Sequence, residues 1–209
     1  MSEPEMDSVN VERICASNAP GSLPILEKKC VGIAGAGGLG SNVAIMLARS
    51  GIGKLIVVDY DDVEIENLNR QHFFLEHVGK PKVEALGEII KKIVPGMNYV
   101  SSKVRLTEEN IAGIFGEVDV LVEALDKAYY KAVLIDSWVA LKNNRPIIAV
   151  SGVAGYGKID KIKVKRMGNL TIIGDFESNQ CDGMMAPRIT LVASMQAALT
   201  IEYLMEQST

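Results

Sequence analysis

A run of glycines directly after an apolar segment is the first feature of the sequence that could do chemistry. The run reads GAGGLG and holds four glycines, Gly35, Gly37, Gly38 and Gly40. Glycines let a backbone approach a phosphate closely, and the N-terminus of a following helix offers N–H groups with partial positive charge. Asp59 ends the next apolar run, about 20 residues further on, where a carboxylate can accept both ribose hydroxyls. These residues predict an adenine nucleotide site and leave a dinucleotide and ATP both open.

Polar and basic residues follow that carboxylate in one string and help to distinguish the two ligands. The segment DYDDVEIENLNRQ holds Asp61, Asn67, Arg70 and Gln71, and Lys82 follows at the start of a predicted helix. A hydride-transfer enzyme needs a pocket for nicotinamide at this place, whereas an ATP enzyme needs cations that hold the β and γ phosphates. Arg70 and Lys82 favour ATP, although each alone would be interpreted as a solvated surface cation.

Short β-branched runs alternate with longer helical stretches along most of the chain. The runs predict buried parallel strands at 28–35, 54–59, 118–125 and 146–152. The stretches predict helices at 39–49, 82–94, 108–114 and 129–142. The alternation predicts an α/β fold with a Rossmann-like, doubly wound and mostly parallel sheet.

The pattern changes after Gly152. Lysines alternate with apolar residues over 155–167, which predicts an antiparallel extension of the sheet with one solvent-exposed face. A polar loop over 175–185 then precedes a predicted C-terminal helix over 187–205, which begins with a proline that suits a first helical turn.

Size and composition restrict the class of protein. With 209 residues, 48% of them hydrophobic, the chain can form one compact domain but hardly two. A net charge of −4 offers no general attraction to nucleic acid or to an anionic membrane. We expect neither a signal peptide nor a membrane span. Cys15, Cys30 and Cys181 are widely spaced, so we expect no zinc site, no disulfide framework and a reducing, cytoplasmic location.

Four strings taken together resemble one enzyme family: GAGGLGS, DYDDVEIENLNRQ, GKPKVEAL and VEALD. From about 31 to 150 they are similar to the adenylation domain of the ThiF/MoeB group, relatives of ubiquitin-activating enzymes. VEALDKAYYKA, SGVAGYG and MMAPR resemble its compact bacterial ThiF branch, which serves the thiamine pathway. The resemblance implies a single adenylation domain over 1–209. Its parts would be an N-terminal helical arm (1–29), a nucleotide-binding half (30–150) and a carrier-binding half (151–209) with a crossover loop and the C-terminal helix.

The resemblance also implies an activity, ligands and residue roles. ATP with Mg²⁺ would adenylate the C-terminal glycine of a small ubiquitin-like sulfur carrier, giving an acyl-adenylate and pyrophosphate. Asp59 would bind the ribose, and Asp126 would hold Mg²⁺. The phosphates would be held by Asn67, Arg70, Gln71 and Lys82. Arg13 would reach the ATP of a partner subunit, which requires a homodimer.

Some features depart from the family pattern. Lys127 follows Asp126 where much of the family has Asn, and the four zinc cysteines of many relatives are absent. Cys181 lies in the polar loop, where it is either a thiol without a role or one that links covalently to the activated carrier. We further expect His72 and His77 at the surface beside the nucleotide loop.

Other functions stay open at this point. The protein could adenylate a molybdopterin-type carrier, a small molecule or an RNA base, although the sequence has no basic patch that favours RNA. It could instead be a nicotinamide-dependent oxidoreductase, which would bind NAD(H) in preference to ATP. An inactive dimeric partner is the third alternative, which Lys127 keeps open.

Overall fold

The computed structural model describes residues 11–141 and 144–206, and its centre is a seven-stranded sheet. The strands are β1 (Cys30–Ala34), β2 (Lys54–Val58), β3 (Asn98–Ser102), β4 (Val120–Glu123), β5 (Ile147–Val150), β6 (Lys163–Met167) and β7 (Leu170–Gly174). The α-helices of the described residues are α1 (Val11–Ile14), α2 (Leu23–Leu26), α3 (Gly38–Arg49), α4 (Lys82–Ile93), α5 (Glu108–Phe115), α6 (Ala128–Ala140) and α7 (Ala186–Glu206).

The sheet has the order β3-β2-β1-β4-β5-β7-β6, and neighbouring strands are parallel from β3 to β7. This order confirms the predicted Rossmann-like, mostly parallel architecture. The antiparallel part is limited to β6, which pairs with β7 at one edge. All five residues of β6 are exposed, so the predicted half-buried alternation is not present there.

Two strands were missed from the sequence. β3 reads NYVSS, is largely exposed and forms the other edge of the sheet, so it has no apolar run. β7 reads LTIIG and lies on the sheet parallel to β5. Its apolar run is short and closely follows the lysine-rich strand β6, so the sequence pattern does not show two separate strands.

Helices cover both faces of the sheet, as a doubly wound fold requires. On one face α3, α4 and α7 enclose the larger core, in which α3 and α7 pack against each other. On the other face α5 and α6 contribute Phe115 and Trp138, both fully buried. Trp138 also donates its indole N–H to the Arg145 carbonyl at 3.0 Å, which ties α6 to the segment before β5. Within 11–141 and 144–206, none of the helices combines the length and low charge that crossing a bilayer demands.

The turn from β1 into α3 has no room for a side chain at two of its glycines. Gly35 has a φ of +102°, a region that other residues rarely adopt, and its N–H donates to the Val58 carbonyl at 2.7 Å. A Cβ on Gly40 would overlap the carbonyl oxygen of Gly35. Because both positions lack a side chain, α3 can begin directly beside the carboxyl ends of β1 and β2.

We expect Gly40→Ala to destabilise the fold by about 1–3 kcal/mol, since the new methyl group must displace the backbone of Gly35. Gly113→Ala on α5 is the control, because nothing lies within 4 Å of its new methyl group. That change should stabilise the helix by about 0.5–1 kcal/mol. Urea unfolding followed by circular dichroism measures both variants, and equal stabilities would contradict this account of the turn.

Candidate active site

A cleft of about 890 Å³ runs along the carboxyl ends of the parallel strands, the edge at which ligands of open α/β sheets bind. The structure brings most of the predicted site residues to its walls. These are Gly35, Gly37, Gly38, Asp59, Asp61, Asn67, Arg70, Gln71, Lys82, Asp126 and Cys181. Gly40 lies buried beneath the loop, where its contact with Gly35 shapes the turn.

The first turn of α3 forms one end of the cleft. Gly37 is its N-cap residue, and no side chain caps the turn, so N–H groups with partial positive charge lie at the cleft wall. A Cβ on Gly37 would meet nothing closer than the amide nitrogen of Gln71, 3.7 Å away. Neighbouring side chains therefore do not require a glycine at this position, and its absent side chain leaves the turn open to a phosphate.

Asp59 follows β2 at the cleft edge, where two backbone donors fix its carboxylate. The Ala36 N–H donates to Oδ2 at 2.6 Å and the Asp61 N–H to Oδ1 at 2.9 Å. Burial raises the pKa of Asp59 above its ordinary value, an effect that these two hydrogen bonds and the charge of Lys82 oppose. Each oxygen keeps a second lone pair, so the side chain can still accept the two hydroxyls of a ribose.

Lys82 enters the cleft wall from the first position of α4. Its side chain is 9% exposed, and Nζ donates to Oδ2 of Asp61 at 2.9 Å. The Lys82 N–H also donates to the Asp61 carbonyl at 3.0 Å. An ammonium group has three donors, so this ion pair fixes the lysine and leaves it able to donate to a phosphate.

Arg70 lies beside the glycine loop. A Cβ on Gly38 would stand 3.4 Å from Cγ of Arg70. The guanidinium donates to Oδ1 of Asn69 at 2.8 Å and to the Glu66 carbonyl at 3.1 Å. These contacts hold a cation at the end of the cleft that the uncapped helix forms.

Gln71 and Asn67 line the same wall, although each is buried. Oε1 of Gln71 has no hydrogen-bond partner among the described residues, which fits an atom that a ligand or a water molecule satisfies. Oδ1 of Asn67 accepts the Glu64 N–H at 3.3 Å and so shapes the turn before Arg70. Their predicted contacts with phosphate stay predictions.

Asp126 and Lys127 lie on the loop after β4, where both are exposed and line the cleft. Among residues 11–141 and 144–206 there is no cluster of three or more metal-ligating side chains. Mg²⁺ at nucleotide sites is often held by one or two protein carboxylates, while phosphates and water supply the other ligands. A single carboxylate is therefore compatible with a magnesium site. The role of Asp126 therefore stays a prediction.

A buried ion pair beneath this loop was not predicted. Glu123 is fully buried, and Nζ of Lys131 lies 2.8 and 2.9 Å from its two carboxylate oxygens. The carboxylate also accepts the N–H groups of Leu125 and Val150 at 2.7 and 3.2 Å. It thus joins the ends of β4 and β5 to α6 below Asp126. No motif reveals such a pair, because its two charges lie on different elements.

A second buried ion pair supports the opposite end of the cleft. The Arg188 guanidinium, on α7, donates to the Asp175 carboxylate and to the Gly157 carbonyl. The N–H groups of Glu177 and Ser178 donate to the same carboxylate at 2.9 and 2.8 Å. Burial alone would raise the pKa of Asp175, but these hydrogen bonds and the Arg188 charge outweigh it and hold the pKa below its ordinary value.

This second pair anchors the loop that carries Cys181, which is exposed and lines the cleft. Two further contacts fix the end of the loop. Asn69 donates its side-chain amide to the Met184 carbonyl at 3.1 Å, and the Gly155 N–H donates to the Gly183 carbonyl at 2.7 Å. The structure therefore places Cys181 at the cleft, while its chemical role stays open.

Arg13 does not line the cleft of its own chain. Its helix, α1, lies near the C-terminal end of α3, where Sγ of Cys15 is 3.6 Å from the Arg49 carbonyl. The glycine loop is at the other end of α3, a helix of 12 residues and so roughly 18 Å long. A role for Arg13 in nucleotide binding would have to be played in another subunit.

One prediction about the histidines is wrong. His77 is fully buried rather than at the surface, and its Nδ1 accepts the Phe74 N–H at 3.0 Å. Its ring packs against Phe73 and Phe74. His72 is exposed, as predicted. The error arose because a histidine that closes a turn has no periodic signal to reveal its burial.

A family model described as the ThiF family matches residues 15–209. The chain belongs to the ThiF family. Among the curated relatives of this ThiF-family protein, the tRNA threonylcarbamoyladenosine dehydratase of Bacillus subtilis is 39% identical over 134 residues, which cover 63% of this chain and 52% of that protein. The adenylyltransferase and sulfurtransferase UBA4 of Candida glabrata is 29% identical over 189 residues, which cover 86% of this chain and 43% of that protein. The chain thus matches about half, or less, of the length of these relatives.

Solved structures share the fold of this ThiF-family protein. The E. coli tRNA N6-threonylcarbamoyladenosine dehydratase TcdA in complex with ATP has a TM-score of 0.83 at 22% identity, and the match covers 95% of each chain. E. coli MccB with ATP has a TM-score of 0.70 at 24% identity, covering 88% of this chain and 57% of that one.

We expect Lys82→Met to weaken ATP binding about 10- to 100-fold, because a hydrogen bond to a charged group contributes about 1.5–3 kcal/mol. Methionine retains a buried aliphatic stem, so the fold should persist. Lys80→Met is the control, since Lys80 is 43% exposed and pairs with Glu88 at the surface. Isothermal titration calorimetry measures both. Unchanged affinity in Lys82→Met would show that Lys82 does not contact the nucleotide.

Acid should weaken the fold through Asp175. Its pKa is lower in the folded than in the unfolded state, so the pair with Arg188 stabilises the fold above the unfolded value, about pH 4, and is lost as the pH falls through the folded value. Asp175→Asn should lower the free energy of unfolding by about 3–5 kcal/mol at neutral pH, because the substitution leaves Arg188 buried and unpaired.

Urea unfolding at a series of pH values tests this prediction. Asp175→Asn should show a flatter acid dependence of its unfolding free energy than the wild-type protein. Asp62→Asn is the control, because its ion pair with Lys103 is about half exposed and should contribute under about 1 kcal/mol. A wild-type acid slope retained in Asp175→Asn would contradict the role given to this pair.

Proposed function

We propose that this ThiF-family protein uses ATP to adenylate the C-terminal glycine carboxylate of a small ubiquitin-like sulfur carrier of the ThiS type. One observation carries the proposal: a single cleft joins a nucleotide end to a second end whose walls are mostly small or polar side chains. The nucleotide end has Asp59, Lys82 and the uncapped helix α3. The second end is lined largely by small or polar residues at 151–154 and 178–179. A flexible glycine tail fits such walls.

The proposed step is a displacement at the α phosphorus of ATP. A carboxylate oxygen attacks that phosphorus and forms the acyl–O–P bond, while the bond between the α phosphorus and the oxygen bridging to the β phosphate breaks. Pyrophosphate leaves with the electron pair. A C-terminal carboxylate is ionised at neutral pH, so no general base is needed. Positioning and charge neutralisation by Arg70 and Lys82 would supply the catalysis.

The residues present fit ATP with Mg²⁺. The uncapped turn at Gly37 has space for a phosphate, and Asp59 has lone pairs left for the ribose. Mg²⁺, when bound, neutralises phosphate charge, and Asp126 is the carboxylate that we assign to it. The adenylyltransferase name of the relative UBA4 and the ATP named with TcdA support this use of the cleft.

A homodimer is part of the proposal. Arg13 lies near the C-terminal end of α3, whereas the glycine loop of the same chain lies at the N-terminal end of that helix. The predicted contact of Arg13 with ATP would therefore be made in the cleft of a second subunit. The site would then be complete only in the dimer.

A tRNA base is the second candidate substrate, because the Bacillus subtilis relative and TcdA are tRNA dehydratases by name. Electrostatics disfavours this candidate, because a negatively charged protein offers no general attraction to a polyanion such as RNA. The net charge is −4, and two of the cations near β6, Lys161 and Arg166, pair with Glu177 and Glu202 at 3.7 and 2.7 Å. The relatives described above give no support to the nicotinamide-dependent alternative.

The carrier assignment implies a place in metabolism. An adenylated ThiS-type carrier is the activated form that accepts sulfur, so the reaction would precede thiocarboxylate formation for thiamine biosynthesis. We also propose a reducing, cytoplasmic location, because Cys15, Cys30 and Cys181 are few and widely spaced along the chain.

ATP–pyrophosphate exchange tests the proposal. The protein is assayed with ThiS-type and molybdopterin-type carriers, each intact and without its terminal glycine, and with a tRNA transcript. We expect exchange with the intact ThiS-type carrier and none once its glycine is removed. Exchange with the molybdopterin-type carrier alone would overturn the carrier assignment. Turnover of ATP with the tRNA but with neither carrier would overturn the carrier class and favour the second candidate.

A further inference from the structure

An arginine held against two tyrosine rings forms part of the cleft wall and has no role in the site described so far. The Cζ atom of Arg105 lies 4.3 Å from the centroid of the Tyr60 ring and 5.7 Å from that of the Tyr130 ring. Its Nη1 donates to the Tyr130 hydroxyl at 3.0 Å. All three residues line the cleft. The rings thus fix the guanidinium at the ligand-binding edge of the sheet.

The surroundings of Arg105 differ from those of an arginine that stabilises the fold. It is exposed, and no carboxylate of residues 11–141 and 144–206 forms an ion pair with it. Neighbouring cations are paired: Lys103 with Asp62 at 2.6 Å and Lys82 with Asp61 at 2.9 Å. A planar, weakly hydrated guanidinium stacks well on aromatic faces. Its contacts therefore suit an aromatic ligand group.

The order of the strands places this arginine one step beyond the ribose position. The glycine loop follows β1, Asp59 follows β2 and Arg105 follows β3, and these three strands are neighbours in the sheet. Adjacent strands lie about 4.8 Å apart, so the three positions span roughly the length of a nucleotide. The Asp59 N–H donates to the Ser102 carbonyl at 3.3 Å, which holds the ends of β2 and β3 together.

We propose that Arg105, supported by Tyr60 and Tyr130, is the surface on which the purine base of the nucleotide stacks. The inference rests on the proposed use of ATP and adds a residue that determines nucleotide affinity. Phosphates at the start of α3 and a ribose at Asp59 leave the base at Arg105. The planar face of the guanidinium, rather than its charge alone, makes the contact.

Three variants separate stacking from simple attraction of phosphates. Arg105→Ala removes both the face and the charge, and Arg105→Lys keeps the charge without the planar face. Lys103→Ala is the matched control, because it removes a nearby cation that does not line the cleft. Isothermal titration calorimetry measures the affinity of each variant and of the wild-type protein for adenosine and for ATP with Mg²⁺. Circular dichroism checks that each variant is folded.

We expect Arg105→Ala to weaken adenosine and ATP by the same factor, about 3- to 30-fold, the range of a cation–π contact. Arg105→Lys should lose a similar factor in affinity for both ligands, and Lys103→Ala should bind both ligands like the wild-type protein. Loss of ATP affinity with adenosine unchanged, or rescue of ATP binding by lysine, would overturn the stacking assignment alone. A wild-type protein that binds neither ligand would overturn the proposed function as well.

Discussion

The close approach of Gly40 to the carbonyl oxygen of Gly35 is the constraint on which the rest of the site depends. It lets α3 begin at the end of β1 instead of after a longer loop. The uncapped N-terminus of that helix then lies at the cleft wall, and Ala36 in the same turn donates to the carboxylate of Asp59. The proposed phosphate and ribose positions therefore both depend on one backbone contact.

The cleft has two ends that are supported in different ways. The nucleotide end depends on backbone geometry and on a partly exposed pair, Lys82 with Asp61. The opposite end depends on the buried pair of Asp175 and Arg188. Phe176, next to that pair, has a φ of +63°, and Lys165 lies 3.8 Å from its ring centroid. Such a conformation costs about 1–3 kcal/mol and persists only where neighbouring contacts enforce it. Contacts with the surrounding structure thus hold the loop that contains Cys181 in place.

Local sequence patterns were sufficient to predict those parts of the site that are positioned by a single turn or by the end of a single strand. The glycine loop and Asp59 were predicted because their spacing brings both to the same edge of a parallel sheet. Lys82 was predicted from the string of polar and basic residues that follows Asp59. The β3 edge and the final pair of strands were predicted poorly, since exposed or very short strands leave little periodicity. The burial of His77 was missed because this residue closes a turn, where the sequence has no periodicity.

The missing parts share a physical cause. The contacts of Glu123 with Lys131, Asp175 with Arg188, and Arg105 with its two tyrosines join side chains from different elements of the fold. No spacing within one element marks them. The family resemblance implied roles for the motif residues. It implied none for these three sets of contacts, because they are tertiary contacts and not part of a sequence motif.

If the cleft transfers an adenylyl group to a carboxylate, the fate of each phosphate of ATP reveals that transfer. The protein and an intact ThiS-type carrier would be incubated with ATP radiolabelled at either the α or the γ phosphate, and the carrier isolated before hydrolysis. We expect label on the carrier from α-labelled ATP and label in pyrophosphate from γ-labelled ATP. Label on the carrier from γ-labelled ATP, or release of ADP, would contradict it.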